Sequence, residues 1–232
     1  MKDNQQSKRH ATVAQAMASS SGDTGKPTLL ATAAGQATFV LILINAIVFL
    51  CDHVLHLPAM KLLYLNHAHP QWHQWITHQF CHGSFQHLSA NLFPLLIFGG
   101  KVEETEGAFG IACVYLLCGT GAAIASFLLT PAWSNGHMTV SVGASGAIFG
   151  LFVVSVLSRL KLGLRPLVEA AILGQFVVQQ VGQEMKSQFA GGRMVGGMSV
   201  SHVAHLGGAV AGVLLVWLLH KVSDRASTKE ME

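Results

Sequence analysis

The sequence predicts an all-α, polytopic membrane protein built from six transmembrane helices. Three observations carry that prediction. Of 232 residues, 51% are hydrophobic and only 11% charged, and the mean hydropathy is +0.46. A soluble domain carries about 25% charged residues. Several apolar runs have the length and low charge of spanning helices. The basic residues between those runs fall unevenly on alternate sides, as topology in a membrane requires.

The elements follow in order. Residues 1–35 are polar, rich in Ser, Ala, Thr and Gln, and lack a periodic apolar face, so they read as a disordered tail. The membrane domain is expected over 36–221, with a short tail over 222–232. The first span is ATFVLILINAIVFLCDHVL at 37–55. A long histidine-rich stretch follows, from 56 to about 86. The second span, LSANLFPLLIFGGK, covers 88–101, and the third, GAFGIACVYLLCGTGAAIASFLLT, covers 107–130. A loop with turn chemistry at Asn135-Gly136 leads to the fourth span at 145–160. The fifth is expected at 166–185 and the sixth at 203–220.

Six spans place both termini on one side. If that side is the cytoplasm, the inner side holds Lys2, Lys8, Arg9, Lys26, Lys101, Arg159, Lys161, Arg165, Lys221, Arg225 and Lys229. The outer side holds Lys61, Lys186 and Arg193 alone. The split obeys the positive-inside rule. The fourth span, 16 residues and so about 24 Å long, falls short of a hydrocarbon core of about 30 Å. Held inside by Arg159 and Lys161, it begins below the outer surface. The loop before it must dip inward, which is tolerable where it is buried in protein or lines a wet cavity.

Several function classes drop out. A net charge of +3, dispersed along the chain, gives no footprint for nucleic acid. Cys51, Cys81, Cys113 and Cys118 form no CxxC pair. The histidines between His67 and His87, including His73, His78 and His82, show no tidy metal-ligand spacing. No cofactor and no metal is expected, with a histidine-loaded metal or haem carrier as a third reading, and these rings are expected to make interfacial hydrogen bonds. The tail lacks the apolar core of a signal peptide. The expected location is a bacterial plasma membrane.

The chemistry centres on SVGASGAIFG at 141–150. Gly143 and Gly146 flank Ser145 at the head of the fourth span, where free N–H groups favour developing negative charge. Small-residue clusters of this kind also mediate helix packing, and the stretch alone favours packing. A base has to come from elsewhere. His205 opens the sixth span, with Gly208 and Gly212 on its face, and an intramembrane histidine is by default a functional candidate. A structural hydrogen bond is the other reading. His202 lies nearer the surface. Most acids fall in tails or at the inner edge, so a Ser-His dyad is favoured over a triad. His87 and Asn91, at i and i+4 in HLSAN, share a helix face. They are either oxyanion donors or an interhelical hydrogen-bond pair.

Together, HGSFQHLSAN at 82–91, GASG at 143–146 and AHLGGAVAG at 204–212 resemble the rhomboid intramembrane serine proteases. The similarity spans about 37–221 and includes the order of the motifs and the six-span, rhomboid-like bundle. The resemblance implies that Ser145 is the nucleophile and His205 its base, with His87 and Asn91 stabilising the oxyanion. Gly143 and Gly146 would shape the turn, and Gly208 and Gly212 would permit close packing. GGKVEETEG at 99–107 resembles the family's turn after the second span, and 186–201 lies where the family carries a mobile cap. One departure stands out. Where many rhomboids have a Trp-Arg pair, this chain has WHQWITH, with Trp72 and Trp75 and no arginine. The implied function is an intramembrane serine endopeptidase acting in or near transmembrane segments of single-span or polytopic membrane proteins, within the lipid bilayer. A non-catalytic scaffold for transmembrane helices is the alternative, although inactive relatives typically lack the serine or the histidine and this chain has both.

Overall fold

The computed structural model describes residues 35–134, 137–158 and 202–229, with scattered residues between 168 and 179. The expected fifth span, the 186–201 loop and the 1–35 tail therefore lie outside or almost outside the described residues. The described chain is helical, with four two-residue strands.

Helix α1, Gln36–Phe49, continues through a π-helical turn, Leu50–Val54, so the first span is 19 residues long. At about 1.5 Å per residue this reaches about 28 Å, close to the hydrocarbon thickness. Nothing in its own sequence caps its start. Glu103, buried and 66 residues away, does so instead. Its two oxygens accept from the backbone N–H groups of Ala37 (2.9 Å) and Thr38 (2.8 Å) and from the Thr38 hydroxyl (2.6 Å). A carboxylate here satisfies orphan donors and meets the positive end of the dipole.

The loop after the first span is ordered by main-chain pairing and by a buried carboxylate. A 3₁₀ turn, Pro58–Leu63, precedes β1, Leu65–Asn66, and a short helix α2, Gln74–Thr77. Asp52, near the C-terminal end of the first span, receives Lys61 at 2.7 Å and the Tyr64 hydroxyl. Three histidines of this loop have hydrogen-bond partners. His67 Nε2 lies 2.8 Å from the Ser141 hydroxyl, His73 Nε2 3.1 Å from the Leu62 carbonyl, and His78 Nδ1 2.9 Å from the Gln74 carbonyl.

Helix α3, Phe85–Pro94, starts three residues before the expected span because Ser84 caps it, accepting from His87 N–H at 3.1 Å. Pro94 lacks an N–H, and a π-helical turn, Leu95–Gly99, follows it before α4, Gly100–Leu129. The chain breaks inside α4 at Gly107 (φ 73°, ψ 178°), a conformation open to glycine, and this break divides the second span from the third. Strands β2, Trp133–Ser134, and β3, His137–Met138, form one hairpin. Strand β4, Val140–Ser141, pairs antiparallel with β1.

Helix α5, Ser145–Leu157, has 13 residues, about 20 Å by rise per residue. Among the described helices it is the most buried: Gly146, Ala147, Ile148, Gly150, Leu151, Val154 and Ser155 are all buried. Helix α6, His202–Lys229, runs beyond the expected end at 220, because VSDRASTK contains no Gly or Pro to stop it. Phe39, Leu43 and Ile47 on α1, with Leu214 and Leu218 on α6, stay exposed as lipid-facing residues must.

Helices α4, α5 and α6 meet along a seam of small residues. A Cβ on Gly212 would come within 2.9 Å of the Gly150 carbonyl oxygen, and one on Gly208 would run into the Gly146 backbone. One on Gly121 would lie 2.7 Å from Ala211 Cβ. Without a hydrophobic drive between helices in lipid, such close backbone approach maximises dispersion contact. Leu95, Phe98, Val102, Ile111, Tyr115, Ile148 and Leu151 fill the core beside the seam.

Candidate active site

Ser145 is the first residue of α5, so its backbone N–H and those just after it have no partner within the helix. Two residues earlier, Gly143 adopts φ +122°, a region side chains rarely enter. Space imposes the same choice, because a Cβ at 143 would sit 2.8 Å from Cε1 and Nε2 of His87. The loop before the serine is anchored by main-chain bonds. Gly143 N–H donates to the His78 carbonyl at 3.0 Å, and β4 pairs with β1 immediately upstream. Ser141 is also fixed by His67 and by Ser126 at 3.3 Å.

His205 comes from the first turn of α6, and the glycine seam brings that helix against α5. Its Nε2 lies 2.8 Å from Ser145 Oγ. The ring is 5% exposed and stacks on Phe149, with centroids 4.7 Å apart and planes 13° apart. Phe149 stands four residues after Ser145, so both share one face of α5. His202, a turn earlier, is exposed.

His87 lies across Gly143 from the serine. Its Nδ1 accepts from the Gly83 N–H at 3.4 Å. A backbone N–H can only donate, so a neutral His87 carries its proton on Nε2, the nitrogen turned toward Gly143. Asn91 is buried one turn below, and its Nδ2 donates to the His87 carbonyl at 3.0 Å. The arrangement thus joins Ser145 and His205 by a direct contact, with His87 beside them across Gly143. Asn91 shares the α3 face with His87 but bonds within its own helix.

The two acids best placed to be mistaken for a third member are engaged elsewhere, Asp52 with Lys61 and Tyr64, Glu103 with the start of α1. Behind His87, the buried ring of His82 packs edge-on at 5.0 Å. Burial drives His82 well below the usual histidine range and pushes His78 down to about 4, so both are neutral at physiological pH. Among the described residues no cluster of His, Cys, Asp or Glu has the arrangement of a metal site.

Three residues escaped the sequence reading. Phe149 sat at a legible i+4 spacing from Ser145, but an aromatic in an apolar helix looks like core. Asp52 and Glu103 left no local signal, because their partners lie across loops.

A family model described as the Rhomboid domain matches residues 69–222, two thirds of the chain and all four polar residues of the site. The chain belongs to the rhomboid family. Among the rhomboids it resembles, "Rhomboid-like protein 11, chloroplastic" of Arabidopsis thaliana is 46% identical over 199 residues, covering 84% of this chain and 69% of that one. "Rhomboid protease AarA" of Providencia stuartii is 25% identical over 160 residues, covering 62% of this chain and 54% of that one. "RHOMBOID-like protein 5" of Arabidopsis thaliana is 43% identical over 70 residues, 30% of this chain and 21% of that one. As a rhomboid with helices at Gln36–Val54, Phe85–Leu129 and His202–Lys221 long and apolar enough to cross a bilayer, the chain is an integral membrane protein.

Proposed function

We propose that this rhomboid is an intramembrane serine endopeptidase working through a Ser145-His205 dyad. The observation that carries the reading is the 2.8 Å contact between His205 Nε2 and Ser145 Oγ at the head of a buried helix. Ser145 Oγ attacks the scissile carbonyl while His205 Nε2 takes its proton. The C–N bond then breaks, the leaving amine receives that proton, and an acyl-serine remains. Water, deprotonated by His205, hydrolyses the ester and regenerates Ser145. Negative charge on the carbonyl oxygen meets His87 Nε2–H, the Ser145 N–H and, once its side chain leaves the His87 carbonyl, Asn91 Nδ2. Losing one such donor costs about 10²–10³ in rate.

The substrates are transmembrane segments of other membrane proteins, cleaved near the outer face. The test compares wild type with Ser145→Ala on a generic transmembrane substrate in liposomes, alongside labelling by a fluorophosphonate. Cleavage and labelling that both vanish in Ser145→Ala support the dyad. Equal cleavage by the two proteins, or helix binding with no labelling of folded wild type, overturns it in favour of a scaffold.

The expected bacterial plasma membrane finds no support in the comparisons, since the relative matching most of the chain at 46% identity is named as chloroplastic. A chloroplast membrane replaces it in this proposal, with both termini on the basic side. Imaging a fluorescent fusion tests that location.

A further inference from the structure

His53 lies on the π-helical turn that ends the first span, away from the reacting atoms. Its ring stacks on Phe49, with centroids 4.4 Å apart and planes 10° apart, which fixes the ring plane. Its Nδ1 faces Asp52 Oδ2 at 3.5 Å, and that carboxylate is itself held by Lys61 and Tyr64. Its Nε2 lies 3.3 Å from the Gly83 carbonyl oxygen. A carbonyl oxygen only accepts, so this nitrogen carries a proton.

Gly83 is thereby held at both ends. Its carbonyl takes the His53 bond, and its N–H gives the bond that selects the His87 tautomer. The next residue, Ser84, caps α3 on the His87 N–H. The ring and the backbone of His87 are therefore both fixed by the Gly83-Ser84 pair, and His53 ties that pair to α1. A glycine in a loop has the widest choice of conformations, so an external anchor matters more here than elsewhere.

We propose that His53 is a positioning residue for His87, holding Gly83 so that the His87 proton stays on Nε2 and points at the oxyanion. This rests on the reading of Ser145 as nucleophile and His87 as oxyanion donor. His53 touches no reacting atom. It acts on turnover through His87, and its loss weakens transition-state stabilisation without weakening substrate binding.

The experiment uses the full chain in liposomes. His53→Phe keeps a flat ring on Phe49 and removes the donor, whereas His53→Gln keeps an N–H donor. Turnover of a transmembrane substrate is measured for both, in wild-type and His87→Ala backgrounds. The expected result is kcat about tenfold lower in His53→Phe, with KM within about twofold, and recovery to within about threefold in His53→Gln. In the His87→Ala background His53→Phe should cause no further loss. Wild-type kcat in His53→Phe, an equal loss in the His87→Ala background, or failure of His53→Gln to rescue would overturn the proposal. ¹⁵N NMR of the His87 ring adds a readout without turnover. A shift away from the Nε2–H form in His53→Phe supports the proposal and an unchanged spectrum defeats it, even if Ser145 proves not to be a nucleophile.

Discussion

Phe149 governs how His205 meets Ser145. A histidine on a helix surface swings about two side-chain torsions, and only a face-to-face neighbour holds its plane. The 4.7 Å stack supplies that neighbour from the helix that carries the serine. Phe149→Ala should lower kcat about tenfold with little change in KM, because ring orientation matters most in the proton-transfer step. Steady-state kinetics on a transmembrane substrate check this, and a raised KM at unchanged kcat would refute it. Ser145, His205, His87 and Asn91 could be picked out as candidates because polar residues stand out in apolar spans and their motifs recur together. What the sequence hid was relation: which nitrogen of His87 bears the proton depends on Gly83, and that depends on folded geometry.

The glycine seam sets the distance between α5 and α6, and glycines inside and outside it differ in tolerance. Gly208→Val would drive a side chain into the Gly146 backbone and lower the unfolding temperature in detergent by several degrees or abolish folding, since overpacking costs about 1–3 kcal/mol or more. Gly100→Ala, whose Cβ would meet nothing within 4 Å, should be neutral or slightly stabilising in the same thermal scan. Glu103→Gln weakens the acceptor at the start of α1 and should cost about 1–2 kcal/mol, read as an earlier unfolding transition. Apolar length made the described spans legible, and Gly107 marked the break between the second and third. The Glu103 cap was not legible, because its donors lie 65 and 66 residues away and no local pattern encodes such a pairing.

The whole molecule carries a pH dependence in the loop between the first span and α3. His78 is held to about 4 by burial, against an ordinary value of about 6.5 in the unfolded chain. Between those values the unfolded state binds the proton and the folded state does not, so stability is full above pH 6.5 and falls as pH drops toward 4. The unfolding temperature should therefore decline over that window, and His78→Gln should flatten the decline; a flat wild-type profile would refute the assignment. The same loop fixes the approach to Ser145 without an arginine. Ser145 is stitched to it by the β1–β4 ladder and by Gly143 N–H to the His78 carbonyl, all main-chain bonds. Such bonds are indifferent to side-chain identity. Exposed positions of WHQWITH such as Trp72 and Ile76 can therefore change, while the buried Gln74 and His78 stay held in the loop, and Ser145 keeps its address.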